Sequence, residues 1–110
     1  MEHFIKAFTY SCAGFQALLR ERAFRQELFL LAFFFSVTAL ARGVAALLDV
    51  LPWGLLVLVV EALNTAVEKT VDLCTTQIHP LAKIAKDTAS FACGTAIMAF
   101  LLTCLREFVK

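Results

Sequence analysis

The stretch LPWGLLVLVVEALNTAVEKTVD, residues 51–72, begins as an apolar run and turns polar without changing its helical period. Glu61 arrives with no turn residue before it, and Asn64, Glu68 and Asp72 follow at helical spacing. At 100° per residue, the four side chains fall within an arc of about 80°, a single stripe on one helix. Ionisable groups inside a membrane span cost about 2.5–3.5 kcal/mol each at mid-bilayer on insertion scales, so such a stripe marks a working site. The competing role is structural, since polar groups can join spanning helices by hydrogen bonds. One amide suffices for that, and three acids exceed it.

Around this stretch the composition is that of a membrane protein. Of the 110 residues 61% are hydrophobic, Phe occurs 11 times, and the mean hydropathy is +0.82. A soluble domain is near half apolar, and this length allows about three spanning helices with little left over. LFLLAFFFSVTALARGVAALL, residues 28–48, reads as the first span, its one charge Arg42 placed where a long side chain snorkels to the interface. Asp49 and Pro52 then predict a tight turn, with Pro52 in the first turn of the next helix, where its missing N–H costs nothing. Trp53 suits the interface there. The second span is expected over residues 52–73, a short loop at Thr75-Thr76-Gln77 and Pro80, and the third span over residues 81–105.

Upstream, residues 2–25 interleave Phe4, Ile5, Phe8, Phe15, Leu18 and Leu19 with Lys6, Gln16, Arg20, Glu21 and Arg22, the pattern of an amphipathic helix on the membrane surface. No cleavable signal is expected, because MEHFIKAFTYSCAGF lacks an apolar core before a small-residue cleavage site. The expected fold is therefore all-α: three transmembrane helices and an N-terminal surface helix in one domain over residues 1–110. Lys6, Arg20, Arg22, Arg25, Lys69, Lys83 and Lys86 fall on one side of the spans and only Arg42, Arg106 and Lys110 on the other. This asymmetry puts the N-terminus and the second loop in the cytoplasm. Cys12, Cys74, Cys93 and Cys104 form no CxxC pair and have no His at ligand spacing, so they read as reduced thiols without a function.

A second polar stripe, Lys83, Lys86, Asp87 and Ser90, enters the third span from the same side as the first. Two facing stripes can share one site. Carboxylates, an amide and lysines at the edge of a membrane suit phosphoryl transfer from a nucleotide: carboxylates hold Mg²⁺, Lys neutralises charge, and one further carboxylate receives a hydroxyl proton. The substrate would be a lipid alcohol. Soluble routes are missing, as the chain has neither GxxxxGK[ST] nor GxGxxG, and His3 and His79 lack partners for zinc. RERAFRQE, residues 20–27, adds Glu21 and Arg25 as i, i+4 partners and Glu27 at the edge of the first span; taken alone it reads more readily as an interfacial anchor.

EALNTAVEKTVD (61–72), followed by HPLAKIAKDTAS (79–90), resembles the small bacterial integral-membrane lipid kinases, the diacylglycerol kinase family with its undecaprenol kinase siblings. The resemblance runs from about Tyr10 to Ala92. It implies a homotrimer of three-helix protomers in the bacterial inner membrane, with active sites shared between neighbours, ATP as co-substrate and Mg²⁺ as cofactor. Carried over by position, Glu61 matches the catalytic base, while Glu21 and Glu68 match the metal carboxylates. Lys86 and Asp87 match nucleotide contacts, with Asn64, Asp72 and His79 around the phosphates and metal, and Tyr10 and Ser11 near the nucleotide. Ala23, Phe24, Arg25, Glu27 and Ser90 fall along the lipid path, which ends at Glu61.

Two departures stand out. The Tyr10–Glu21 interval is one residue shorter than the familiar spacing, which rotates the surface helix by about 100° against the first span unless a turn absorbs it. The 75–77 loop has Thr-Thr-Gln where relatives often have glycine and an acid. For the substrate, AFRQE resembles the diacylglycerol branch, whereas VDL and HPLAKIAKD look more like the undecaprenol branch. Diacylglycerol is favoured, because the surface helix and first span should touch the lipid more than the nucleotide-side loop does. The rival classes are a small proton-coupled transporter, for which a glutamate stripe would be a relay, and a non-catalytic membrane scaffold. The lysines of the second stripe suit an anionic phosphate better than a cation.

Overall fold

The computed structural model describes residues 1–110 as four helices: α1 (Glu2–Leu18), α2 (Arg22–Arg42), α3 (Val44–Cys74) and α4 (Pro80–Val109). The last three are long and apolar enough to cross a membrane. They pack as an antiparallel up-down-up bundle with α3 in the middle, against α4 on one side and α2 on the other. The core is a ladder of Leu31, Val50, Val57, Ala96, Phe100 and Cys104, with Phe34 and Phe35 edge-on against the Phe100 ring at 6.0 and 5.7 Å. Only 12 of 110 residues are buried, so the outer faces of α2, α3 and α4 remain apolar and uncovered by this chain. Such surface is stable only against lipid or further protein.

The break between the first two spanning helices lies at Gly43, not at the expected Asp49–Pro52 turn. The 28–48 run is thereby split between α2 and α3, and Arg42 ends α2. Gly43 takes φ +95°, a conformation that side-chain-bearing residues avoid, and one residue in it reverses the chain. Pro52 stands inside α3 instead. It removes one backbone donor, a loss tolerated in membrane helices where neighbouring groups re-satisfy the freed carbonyl. The N-terminal helix α1 likewise ends at Leu18 rather than at 25, because Leu19–Glu21 form a turn and Ala23–Arg25 already belong to α2. Arg25 Nη1 donates to the Leu19 carbonyl at 2.8 Å across this turn, and Phe15 packs edge-on against buried Phe24. The turn is where the shortened Tyr10–Glu21 interval can be taken up.

Gly54 sets the closeness of α2 and α3. A Cβ there would lie 2.3 Å from Phe35 Cζ and 3.2 Å from Leu31 Cδ2. Gly54→Val is therefore expected to destabilise the bundle by about 1–3 kcal/mol through overpacking, read as a lowered Tm in detergent micelles. An unchanged Tm would mean that the contact is looser than described.

The two ends of the bundle differ. Arg42, Asp49, Glu107 and Lys110 gather at one end, where Lys110 Nζ lies 2.6 Å from the buried Glu107 carboxylate, in ion-pair but not hydrogen-bond geometry, and 3.4 Å from Asp49 Oδ2. Glu21, Lys69, Asp72, Lys83 and Lys86 gather at the other. The sequence asymmetry of Lys and Arg thus becomes a spatial one.

Candidate functional site

Glu61, Asn64, Glu68 and Asp72 share one uninterrupted helix, and their burial falls along it. Glu61 is 3% exposed, Asn64 is half-buried, and Glu68 and Asp72 are open. The stripe climbs out of the core over three turns, about 16 Å at 1.5 Å per residue. At its top, Lys86 Nζ reaches from α4 to Asp72 Oδ1 at 2.7 Å and joins the two stripes. Midway, Asn64 Nδ2 donates to Glu68 Oε1 at 3.2 Å.

His79 caps α4. Its Nδ1 accepts the Leu81 N–H at 3.1 Å, with Pro80 in the first turn, where a missing donor is harmless. The loop before it is held by Thr75 Oγ1, which accepts the Gln77 N–H at 3.1 Å. Between loop and helix ends lies an open cavity of about 350 Å³, lined by Asp72, His79, Lys83, Lys86 and Asp87 among others. Lys83 also pairs with Asp87 one turn on. Two ammonium groups, each paired with an aspartate, and a ring of hydrogen-bonding side chains thus line the cavity.

The lower part of the site is different. Glu27 of α2 and Glu61 of α3 present their carboxyl groups to each other. Glu27 Oε2 is buried with no hydrogen-bond partner. A buried polar atom without a partner is costly. A second cleft of about 380 Å³, mostly apolar, lies beside the α1–α2 turn against Leu19, Arg25, Leu28, Phe29 and Ala32.

Other expected residues lie elsewhere. Glu21 is the N-cap of α2 and is held across the bundle by Lys69 Nζ at 3.1 Å from its Oε1. This places Glu21 beside the Glu68–Lys69 turn of α3. No three His, Cys, Asp or Glu side chains of the single chain converge as a metal cluster. Tyr10 and Ser11 are exposed on α1, where Ser11 Oγ donates to its own helix at Ala7 O, and neither lines the cavity. Ala23 and Ser90 are exposed on α2 and α4, and Phe24 is buried against α1 rather than open to a ligand.

The model of the prokaryotic diacylglycerol kinase family matches residues 9–106. A diacylglycerol kinase of Helicobacter pylori is 47% identical over 96 residues, covering 79% of this chain and 70% of its own, and one of Pseudomonas aeruginosa is 40% identical over 107 residues, covering 94% and 85%. An undecaprenol kinase of Bacillus subtilis is 34% identical over 113 residues, covering 93% of this chain and 85% of its own. The chain belongs to the prokaryotic diacylglycerol kinase family. Membership in a family of lipid kinases removes the transporter and scaffold readings of the chain.

Two contacts around the stripe are not legible in the sequence pattern. Lys69 reaches Glu21 only because α2 and α3 run antiparallel, a tertiary fact. Cys93, read as an inert thiol, donates to Glu61 Oε2 at 3.2 Å. A signal for it did exist, since Cys93 is the next i+3 position after Ser90 on the second stripe.

Proposed function

We propose that this chain is an ATP- and Mg²⁺-dependent lipid kinase of the bacterial inner membrane, transferring the γ-phosphate to the hydroxyl of diacylglycerol and yielding phosphatidic acid. The observation that carries the reading is the Glu27–Glu61 pair, a buried acid and an unsatisfied acceptor at the border of the apolar span, below a cavity rich in Lys and Asp. Glu61 takes the hydroxyl proton as the lipid oxygen attacks phosphorus in line and ADP leaves. Lys86 neutralises phosphate charge. Catalysis of this kind is mostly positioning and electrostatics.

Glu21 and Glu68 would hold Mg²⁺. They fit in kind: the Glu21–Lys69 ion pair brings Glu21 to the Glu68–Lys69 turn of α3, and Mg²⁺ bound to a nucleotide takes one or two protein carboxylates and keeps water and phosphate oxygens for the rest. The metal would supply charge neutralisation between the phosphates. EDTA in excess over Mg²⁺ should abolish turnover, and added Mg²⁺ should restore it; full activity under chelation would remove the metal from the account.

A homotrimer with shared sites is part of the proposal. Support comes from the apolar outer faces and from the openness of both clefts, which one 110-residue chain leaves unenclosed. The cluster of Glu21, Lys69, Lys83 and Lys86 faces the cytoplasm under the positive-inside rule, and the N-terminus with it.

Undecaprenol is the second reading of the substrate, favoured by HPLAKIAKD and by the likeness to an undecaprenol kinase. Purified protein in mixed micelles, offered diacylglycerol and undecaprenol at equal mole fraction, should have the higher kcat/KM for diacylglycerol. A preference for undecaprenol would reassign the substrate and leave the chemistry intact.

A further inference from the structure

We infer that the Cys93 thiol is a positioning residue for Glu61: its S–H donates to Oε2 and turns the second carboxylate oxygen toward the lipid hydroxyl. The inference rests on Glu61 being the base.

The geometry is specific. Cys93 Sγ lies 3.2 Å from Glu61 Oε2, while its next acceptor, the Val60 carbonyl, is at 3.9 Å. Glu61 is almost fully buried, so water does not supply the missing donors. No Lys, Arg or His pairs with it: Lys69, Lys83 and Lys86 are engaged with Glu21, Asp87 and Asp72, and Arg25 donates to the Leu19 carbonyl. The groups that face it are Glu27 from α2 and Cys93 from α4, with Glu68 further along α3. Of these, Cys93 makes the hydrogen bond that the structure shows to Glu61, its S–H donating to Oε2.

The consequence is orientational. A carboxylate at the end of Glu has a broad, soft terminal torsion, and a single fixed hydrogen bond removes most of that freedom. With Oε2 committed to the thiol, Oε1 is the oxygen left for the incoming proton. An apolar residue at 93 would leave a buried carboxylate oxygen unpaired and the plane of the group unset. The other thiols have no such place, since Cys104 is packed in the core and Cys12 and Cys74 are exposed.

Kinetics and spectroscopy test this together. Cys93→Ala should lower kcat about five-fold, equivalent to about 1 kcal/mol of barrier, with KM for ATP and lipid within about two-fold of the parent and Tm lowered by no more than about a few degrees. Cys93→Ser, which keeps a donor, should return kcat to within about two-fold. In the infrared, the S–H stretching band that disappears in Cys93→Ser should lie at the low frequency of a thiol bonded to a carboxylate and move upward in Glu61→Gln, where the acceptor is a neutral amide. Parental kcat in Cys93→Ala overturns the inference. So do equal losses in Ala and Ser that follow a fall in Tm, or a band that Glu61→Gln leaves in place. Should Glu61→Gln itself turn over normally, the base assignment fails; if it is inactive and Cys93→Ala is fully active, only the positioning role fails.

Discussion

Replacing Glu61 by Gln is expected to lower kcat by about 10²–10⁴-fold, the usual contribution of a positioned general base. The amide keeps the shape of the carboxylate and can still accept from Cys93, so the bundle should fold as before. What it loses is the ability to take a proton. Because Glu61 is 3% exposed and borders the apolar span, no solvent base replaces it. Turnover in mixed micelles, measured beside thermal unfolding of the same preparation, checks this. Activity retained within about three-fold in folded protein would contradict the assignment, since a loss that small falls below any base contribution.

The next largest effect is expected at Lys86. Lys86→Met should cost about ten- to a hundred-fold in kcat/KM for ATP, matching the about 1.5–3 kcal/mol typical of a hydrogen bond to a charged group. Stability should change by no more than about 1 kcal/mol, because the Lys86–Asp72 pair is partly exposed on both sides, at 42% and 59% of the side chains. The contrast between a large kinetic and a small thermal effect separates a phosphate contact from a helix clamp. Lys86→Arg should recover only part of the loss, since a planar fork does not reproduce a compact ammonium. If Lys86→Met lowers Tm strongly and leaves the KM for ATP alone, Lys86 serves to hold α3 against α4 and the cavity is not a phosphate site.

Helical periodicity made the Glu61–Asp72 stripe legible, and a long helix keeps that periodicity whatever it packs against. The 83–90 stripe followed by the same rule, and Pro80 kept His79 out of a helix interior, while the role of His79 as the α4 cap is seen only in the structure. The first hairpin was misread for a physical reason. Proline is a strong helix stop in water, but inside a bilayer Pro52 stays helical, and the real reversal rests on the backbone freedom of Gly43, which looks like any small residue in an apolar run. The end of α1 was hidden in the same way, because Ala23 and Phe24 extend its apolar pattern past the Leu19–Glu21 turn. The Glu21–Lys69, Glu27–Glu61 and Cys93–Glu61 contacts join residues 48, 34 and 32 positions apart. They depend on how three helices are set against each other, which no local pattern states.

The central claim is transfer of phosphate from nucleotide to lipid at the Glu61 site. Its most direct test supplies purified protein with ATP·Mg²⁺ labelled in the γ-phosphate and diacylglycerol in mixed micelles, and follows the label into lipid and into free phosphate. The expected result is label in phosphatidic acid, none of it with Glu61→Gln. Label confined to free phosphate, or lipid labelling undiminished in Glu61→Gln, would contradict the account.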